Sequence, residues 1–382
     1  MNELTPRERV LRTIAGEPVD RLAIYDIIHS TDLIEHLSGD KITPANAEDL
    51  TCKAVGKVLD LVRHFCIPSD IEERTYSDDD GFTYRHQWWT REIVERPNKT
   101  LDETRDLMKS DVEHIRRAIE KGEVCWQALE HLEILGEHCK TFEEIGELFR
   151  RIAGKLDGAM MVAPESLPGM YTATNRYGFE MVIYTYHDHP DDFMAIYEAF
   201  CDYEVAKIHA LADLVDIAPV ALLSEAVAFN TGLLFPPEFI RDIQYPNIRR
   251  IIDAYKEHGF KVIFHADGNK WPILDDIVSF GADIIDPCET LATMEIKELR
   301  EKYPTMAFAS PVDCQDLLAR GTTDEIAAAC WKVLDDCGGE RVLTGSTSEI
   351  HPGISVERAM TMYDIFRNYH DPEFAARHGR GN

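Results

Sequence analysis

The sequence has no apolar run approaching the roughly 20 residues that a membrane-spanning helix requires. Its first residues, Met1-Asn-Glu-Leu-Thr-Pro-Arg-Glu-Arg9, hold no apolar signal core. Both absences lead to the expectation of a soluble, cytoplasmic protein. There is no CxxC pair: nine cysteines are dispersed between Cys52 and Cys337. An odd, scattered set of this kind reads as reduced core thiols rather than a disulfide framework. No GxGxxG or P-loop follows a strand-like run, which removes the obvious nucleotide-binding folds. Basic residues are scarce, with 40 Lys and Arg against 69 Asp and Glu and a net charge of −29. Such a surface repels phosphate backbones and anionic bilayers, so neither nucleic acid nor membrane is an expected partner.

What is present is a long, core-rich α/β pattern. At 382 residues and 45% hydrophobic, the chain can bury a core without covalent staples. From Met160 onward, short apolar runs alternate with helical periodicity every few tens of residues, the signature of parallel strands with crossover helices. The expected architecture is a closed (β/α)8 barrel, with a doubly wound open sheet as the alternative. Residues 1–156 are read as N-terminal helices and a hairpin added to a single barrel domain, and 157–382 as its main run of strands and helices. Thr5 and Gly16 bracket a first helix, helical periodicity runs from about Ala45 to Phe65, and Thr100 and Thr141 sit at further helix starts. Gly122 and Gly136 interrupt the helical stretch between Leu101 and Leu156. Asp78-Asp79-Asp80-Gly81 reads as a tight turn between two β-prone runs, the second reaching from Phe82 to Val94. Trp88 and Trp89 on that hairpin would pack as ordinary apolar residues or form a lid over an apolar substrate.

The chemistry gathers where strands end. Val262-Ile-Phe-His265-Ala-Asp267-Gly268 is a buried strand followed at once by an imidazole, a carboxylate and a glycine. In parallel sheets, ligands sit at the C-terminal strand ends. If the sheet closes, Glu225, Glu289 and Asp313 reach the same mouth, as do Ser348, Glu349 and His351. Imidazole with carboxylates is a plausible Zn²⁺ donor set with a position open for substrate. Otherwise His265 bonds loop backbone and the acids cap the helices that follow. His187-Asp188-His189 is read as a helix-entry loop rather than a chelate.

Several stretches resemble the uroporphyrinogen decarboxylase superfamily, which includes cobalamin-dependent methyltransferases. They are Pro6-Arg-Glu-Arg-Val-Leu11 with Glu17-Pro-Val-Asp-Arg21, Asn230 through Phe239, His265-Ala-Asp-Gly-Asn269 with Ile273 through Ile277, Gly281-Ala-Asp283, Ala319 through Ile326, and Leu343 through Pro352. The resemblance implies a (β/α)8 barrel. It also implies two departures. The arginine-rich signature by which the decarboxylases hold a polycarboxylate has no counterpart in Leu22-Ala-Ile-Tyr-Asp-Ile-Ile-His29. The zinc methyltransferases carry His-x-Cys at the focal strand and a later Cys, where this chain has His265 with Asp267, and Ser348. An oxygen- and nitrogen-rich site of that kind resembles the methyltransferase components of O-demethylases, which move a methyl group from an aryl methyl ether to the cobalt of a corrinoid protein. The implied cofactors are Zn²⁺ held by His265, Glu225 and Asp267, and cobalamin carried by the partner. His265, Glu225, Asp267, Glu349 and His351 are the expected catalytic groups, and Trp88, Trp89, Asn230 and Tyr184 the expected contacts to a methoxylated substrate. A decarboxylase-like enzyme and a non-catalytic ligand-binding barrel are the alternatives, and a homodimer is the assembly kept open.

Overall fold

The computed structural model describes residues 3–125 and 139–380. Its centre is a ring of eight short parallel strands. In chain order they are β1 (Tyr25–Asp26), β2 (Leu61–Val62), β3 (Met160–Met161 continued by Ala163–Ser166), β4 (Val220–Ser224), β5 (Lys261–His265), β6 (Ile284–Asp286), β7 (Ala307–Ala309) and β8 (Val342–Leu343). Pairing runs β1-β2-β3 through Met161 and β3-β4 through Ala163, then in sequence to β8. The Ile24–Thr344 bridge closes the ring, with Tyr25 N donating to Thr344 O at 2.8 Å and Thr344 N to Ala23 O at 2.9 Å. The fold is therefore a (β/α)8 barrel, and closure leaves its inner sheet without an edge to protect.

Alternation along each strand sorts side chains into two cores. Tyr25, Leu61, Met160, Leu222 and Ile263 point inward, with Ile284, Ala307 and Leu343 completing the filled interior. Val62, Leu223, Phe264, Ile285 and Phe308 point outward against the helices. The helix Pro6–Ala15 closes the N-terminal end of the barrel by inserting Val10 and Ile14 into the inner core. Thr5 caps it in a reciprocal box with Glu8, and Gly16 ends it in the left-handed conformation, as its sequence context predicts. Thr100 and Thr141 likewise cap their helices.

The motif Arg9 with Asp20-Arg21 belongs to this closed end. Arg9 binds Asp20 and Asp60, Arg21 binds Asp60, and Asp60 accepts the Ile24 N–H at 2.8 Å. All four side chains are largely buried. The residues that make the N-terminus recognisable thus fasten the plug helix to β1 and β2, on the face opposite the strand C-termini.

Three local expectations are corrected. The helix expected to about Phe65 ends at Val58, because Leu59 turns extended and Leu61–Val62 enters the barrel as β2. The barrel therefore begins well before residue 157. The run from Phe82 to Val94 is not one strand but Thr83–Gln87 and Thr90–Glu95, folded back at a turn holding Trp88 and Trp89. With Arg74–Ser77 these form a three-stranded antiparallel sheet. His187 and Asp188 finish the helix Phe179–Asp188, and His189 joins it to Pro190–Ala210 rather than entering from a loop. Gly122 ends the helix Leu101–Lys121 in the left-handed conformation, whereas Gly136 lies outside the described residues. Among the described residues, no helix is long and apolar enough to cross a membrane.

Candidate active site

At the C-terminal ends of the strands, the inward layer changes from aliphatic to polar. Arg63 follows β2, Glu165 lies on β3, and Ser224, His265 and Asp286 end β4, β5 and β6. The change follows from the strand period: Leu222 and Ile263 fill the barrel, and two residues later Ser224 and His265 point to the same side, one layer higher. Of these, Arg63, Glu165, Ser224 and His265 border a cavity of about 340 Å³, together with His64, Glu225, Asp267 and Ser348.

His265 and Asp286 are register partners on adjacent strands, and Nδ1 of the imidazole lies 2.6 Å from Asp286 Oδ2. That contact fixes the ring and leaves Nε2 toward the cavity, 3.6 Å from Oδ1 of the exposed Asp267. Burial would raise the Asp286 carboxyl, but His265 and Arg63 outweigh it and hold it below the ordinary carboxylate range. Asp286 therefore stays charged and acts as the orienting anion.

Arg63 stands between two carboxylates, 3.8 Å from Glu165 and 3.9 Å from Asp286. Its Nε has no hydrogen-bond partner among the described residues, and neither has the fully buried Tyr25 hydroxyl of the layer below. Burial lowers the His64 pKa despite the Glu165 carboxylate 2.6 Å from its Nε2, which keeps the ring neutral. Glu165 also accepts the Ser224 hydroxyl.

Glu225 is buried beyond the end of β4. Its Oε1 accepts Tyr171 N and Ala226 N, each at 2.8 Å, while Oε2 receives only Met170 N at 3.2 Å. Burial pushes its pKa up to about 7 against those three N–H groups. The carboxyl is thus held in its acid form to higher pH than an ordinary glutamate, with Oε2 the less occupied oxygen.

The loop after β5 is held from beneath. Lys270 is fully buried and donates to the carbonyls of Ala266 at 2.6 Å and Pro287 at 2.9 Å. Glu289, raised by its burial, accepts Gly268 N. Gly268 has φ +86°, and a Cβ there would come within 2.4 Å of the Phe229 backbone, so the position needs glycine.

Of the residues singled out from sequence, His265, Glu225 and Asp267 border one cavity, as does Ser348. Glu349 is near but occupied, with Oε2 3.1 Å from His29 Nδ1. His351 accepts Gly353 N at 3.0 Å within its own turn. Asp313 accepts the N–H groups of Gln315, Asp316 and Leu317, the capping role weighed for it. Trp88 is buried, edge-on to His29 with ring centres 5.9 Å apart, and Trp89 packs edge-on against Trp88. Tyr184 and Asn230 are exposed, and neither borders the cavity.

Arg63, His64, Glu165 and Asp286 were not legible as site residues. Arg63 and His64 follow a strand only two residues long, and Asp286 and Glu165 stand beside prolines that read as turn punctuation.

A zinc site at the mouth would need His265, Glu225 and Asp267 to converge. Glu225 has both oxygens turned to backbone N–H groups, and the three do not assemble as a donor set. Among the described residues, the group whose donor atoms lie within 4.8 Å of one another is His209, Glu257 and His258. The mouth residues do not fit the metal as they stand.

The family model for uroporphyrinogen decarboxylase (URO-D) matches residues 118–369, well over half the chain. The chain belongs to the uroporphyrinogen decarboxylase family. Among solved structures, this family member is similar to a methyltransferase from Methanosarcina mazei. The identity is 15%, coverage is 96% of this chain and 100% of that one, and the TM-score is 0.65. At that identity the likeness establishes the shared fold. A B12-independent methionine synthase from Shewanella sp. W3-18-1 is more distant, with 13% identity, 61% and 68% of the two chains covered, and a TM-score of 0.35. No match was found among curated proteins.

Proposed function

We propose that this uroporphyrinogen decarboxylase family member is a methyltransferase that moves a methyl group from a methoxylated small molecule, an aryl methyl ether, to the cobalt of a corrinoid protein. The observation that carries the reading is the pairing of two proton-handling groups on one small cavity, His265 oriented by Asp286 and Glu225 with its pKa near 7. Breaking an ether C–O bond expels a poor leaving group, and an acid at the oxygen is what such a step needs.

The cavity volume of about 340 Å³ lies at the lower end of the ~300–1,000 Å³ range of small-molecule pockets. Arg63 is the one arginine among the described residues lining it, and two carboxylates already flank it. A macrocycle bearing many carboxylates needs more room and more cations.

The partner's reduced corrinoid would supply the nucleophile for the methyl carbon. This chain's residues do the rest. The ether oxygen accepts the Glu225 proton as its bond to carbon breaks, and the product leaves as a phenol. Asp286 accepts the His265 Nδ1–H and holds the ring so that Nε2 accepts a hydrogen bond from the phenol as it forms. Leu167, Ala228 and Leu234 give the substrate an apolar wall.

The test mixes purified protein with a reduced corrinoid protein and a panel of methoxybenzenes, and follows loss of the Co(I) absorbance together with phenol release. Turnover that collapses in His265→Ala and Glu225→Gln supports the reading. Release of CO₂ from a carboxylated substrate with no demethylation would replace it with a decarboxylase.

A further inference from the structure

We propose that His209, His258 and Glu257 form a binding site for a divalent transition metal of the Zn²⁺ class, on the face of the barrel opposite the cavity. The proposal is independent of the methyl-transfer reading.

His209 lies in the last turn of the helix Pro190–Ala210, and Glu257 and His258 end the helix Tyr245–Glu257. These helices lead into β4 and β5, so their C-termini meet at the N-terminal end of the barrel. His209 Nδ1 is 2.8 Å from His258 Nε2, with the rings nearly perpendicular at 79°. One donor atom from each of the three residues falls within 4.8 Å of the other two.

Three features favour a cation there. Two helix C-termini converge, and each presents the negative end of its dipole. The scaffold beneath is fixed, because the buried Asn247 side chain on one helix donates to Tyr197 O on the other at 3.2 Å, and Arg250 pairs with Asp202. The donor set is also selective. Two imidazoles and a carboxylate suit Zn²⁺, Ni²⁺ or Cu²⁺ and give poor discrimination in favour of Mg²⁺ or Ca²⁺, which take oxygen ligands.

Without metal, the ring nitrogens share a proton, one donating and the other accepting. Metal–nitrogen bonds of ~2.0–2.1 Å at a tetrahedral angle would set the nitrogens about 3.3 Å apart. That is an opening of about half an ångström, within reach of rotation of the exposed His209 ring. Water would complete the shell. Such a metal would clamp the helices that follow β3 and β4.

The measurement is calorimetric titration of chelator-stripped protein with ZnCl₂ at physiological salt, with MgCl₂ as control. One saturable zinc site is expected, weakened at least tenfold in His209→Ala and in His258→Ala, and unchanged in His265→Ala. His209→Gln, which keeps a polar surface residue, guards against a folding artefact and should weaken zinc equally. Zinc affinity retained in the His209 and His258 variants but lost in His265→Ala would move the metal to the mouth and overturn the proposal. Absence of saturable binding, or equal binding of Mg²⁺, would overturn it as well.

Discussion

His265 on β5 and Asp286 on β6 stand opposite each other in register, and their side chains meet at 2.6 Å above the filled interior of the barrel. The contact joins the most recognisable residue of the sequence to one that the sequence left unmarked. Since Asp286 fixes the ring, its removal should resemble a partial loss of His265. We expect His265→Ala to lower kcat for demethylation by roughly 10²–10⁴-fold. Asp286→Asn, which preserves shape but removes the charge, should cost about 10–100-fold. Steady-state kinetics beside a thermal melt would separate this from unfolding, and a fully active Asp286→Asn would discard the orienting role.

Glu225 should leave a signature in stability. Its folded-state pKa of about 7 lies above the ordinary 4.5, so the folded protein holds this proton more tightly than the unfolded chain. The resulting stabilisation is full below pH 4.5 and lost as pH rises through 7, on the order of 3 kcal/mol in all. Glu225→Gln cannot titrate, so the stability difference between variant and wild type should change across that window. Urea unfolding at pH 5, 6, 7 and 8 reads it, and parallel curves would show that Glu225 titrates normally. With Glu225 as the acid, the wild-type rate should also fall above pH 7.

The closed end of the barrel should respond in stability alone. Asp60 pairs with Arg9 and Arg21, both at 2.6 Å, and losing it would leave two buried guanidinium groups short of a counter-charge. Asp60→Asn should cost about 3–5 kcal/mol. Denaturant titration checks the figure, and activity per folded molecule should remain at the wild-type level because the cavity lies at the other end.

Gly268→Ala should reduce both stability and activity. The φ of +86° and the Phe229 backbone 2.4 Å from the added Cβ force the loop to move, and that loop carries Asp267. A loss of about 1–3 kcal/mol follows from the backbone conformation alone. A melt and a KM–kcat comparison would measure it, and an unchanged melting temperature would show that the two loops separate freely.

Trp88→Ala should behave as a core truncation rather than a substrate-site change. The ring is buried against His29 and Trp89, so about 3–5 kcal/mol of stability should be lost. The KM of the remaining folded enzyme should stay near the wild-type value, and a large KM change without destabilisation would restore the lid.

The sequence by itself determined the barrel and one wall of its mouth. Apolar runs such as Val262-Ile-Phe and Val220-Ala-Leu-Leu are long enough to show as buried strands, and the residue after each run must lie at a strand end. That local rule located His265, Asp267 and Glu225. Strands β1 and β2 keep two residues each and carry no period of their own, so β2 was absorbed into a helical pattern and Arg63 with it. Which polar groups meet is a further matter, because it depends on inter-strand register and on the closing contact between Ile24 and Thr344, which link residues far apart in the chain. Tertiary structure alone therefore decided that Asp286 holds His265 and that the buried Glu225 holds a helix start. It also decided that His209 meets His258, since two helix ends 49 positions apart become neighbours only when both pack on the same barrel.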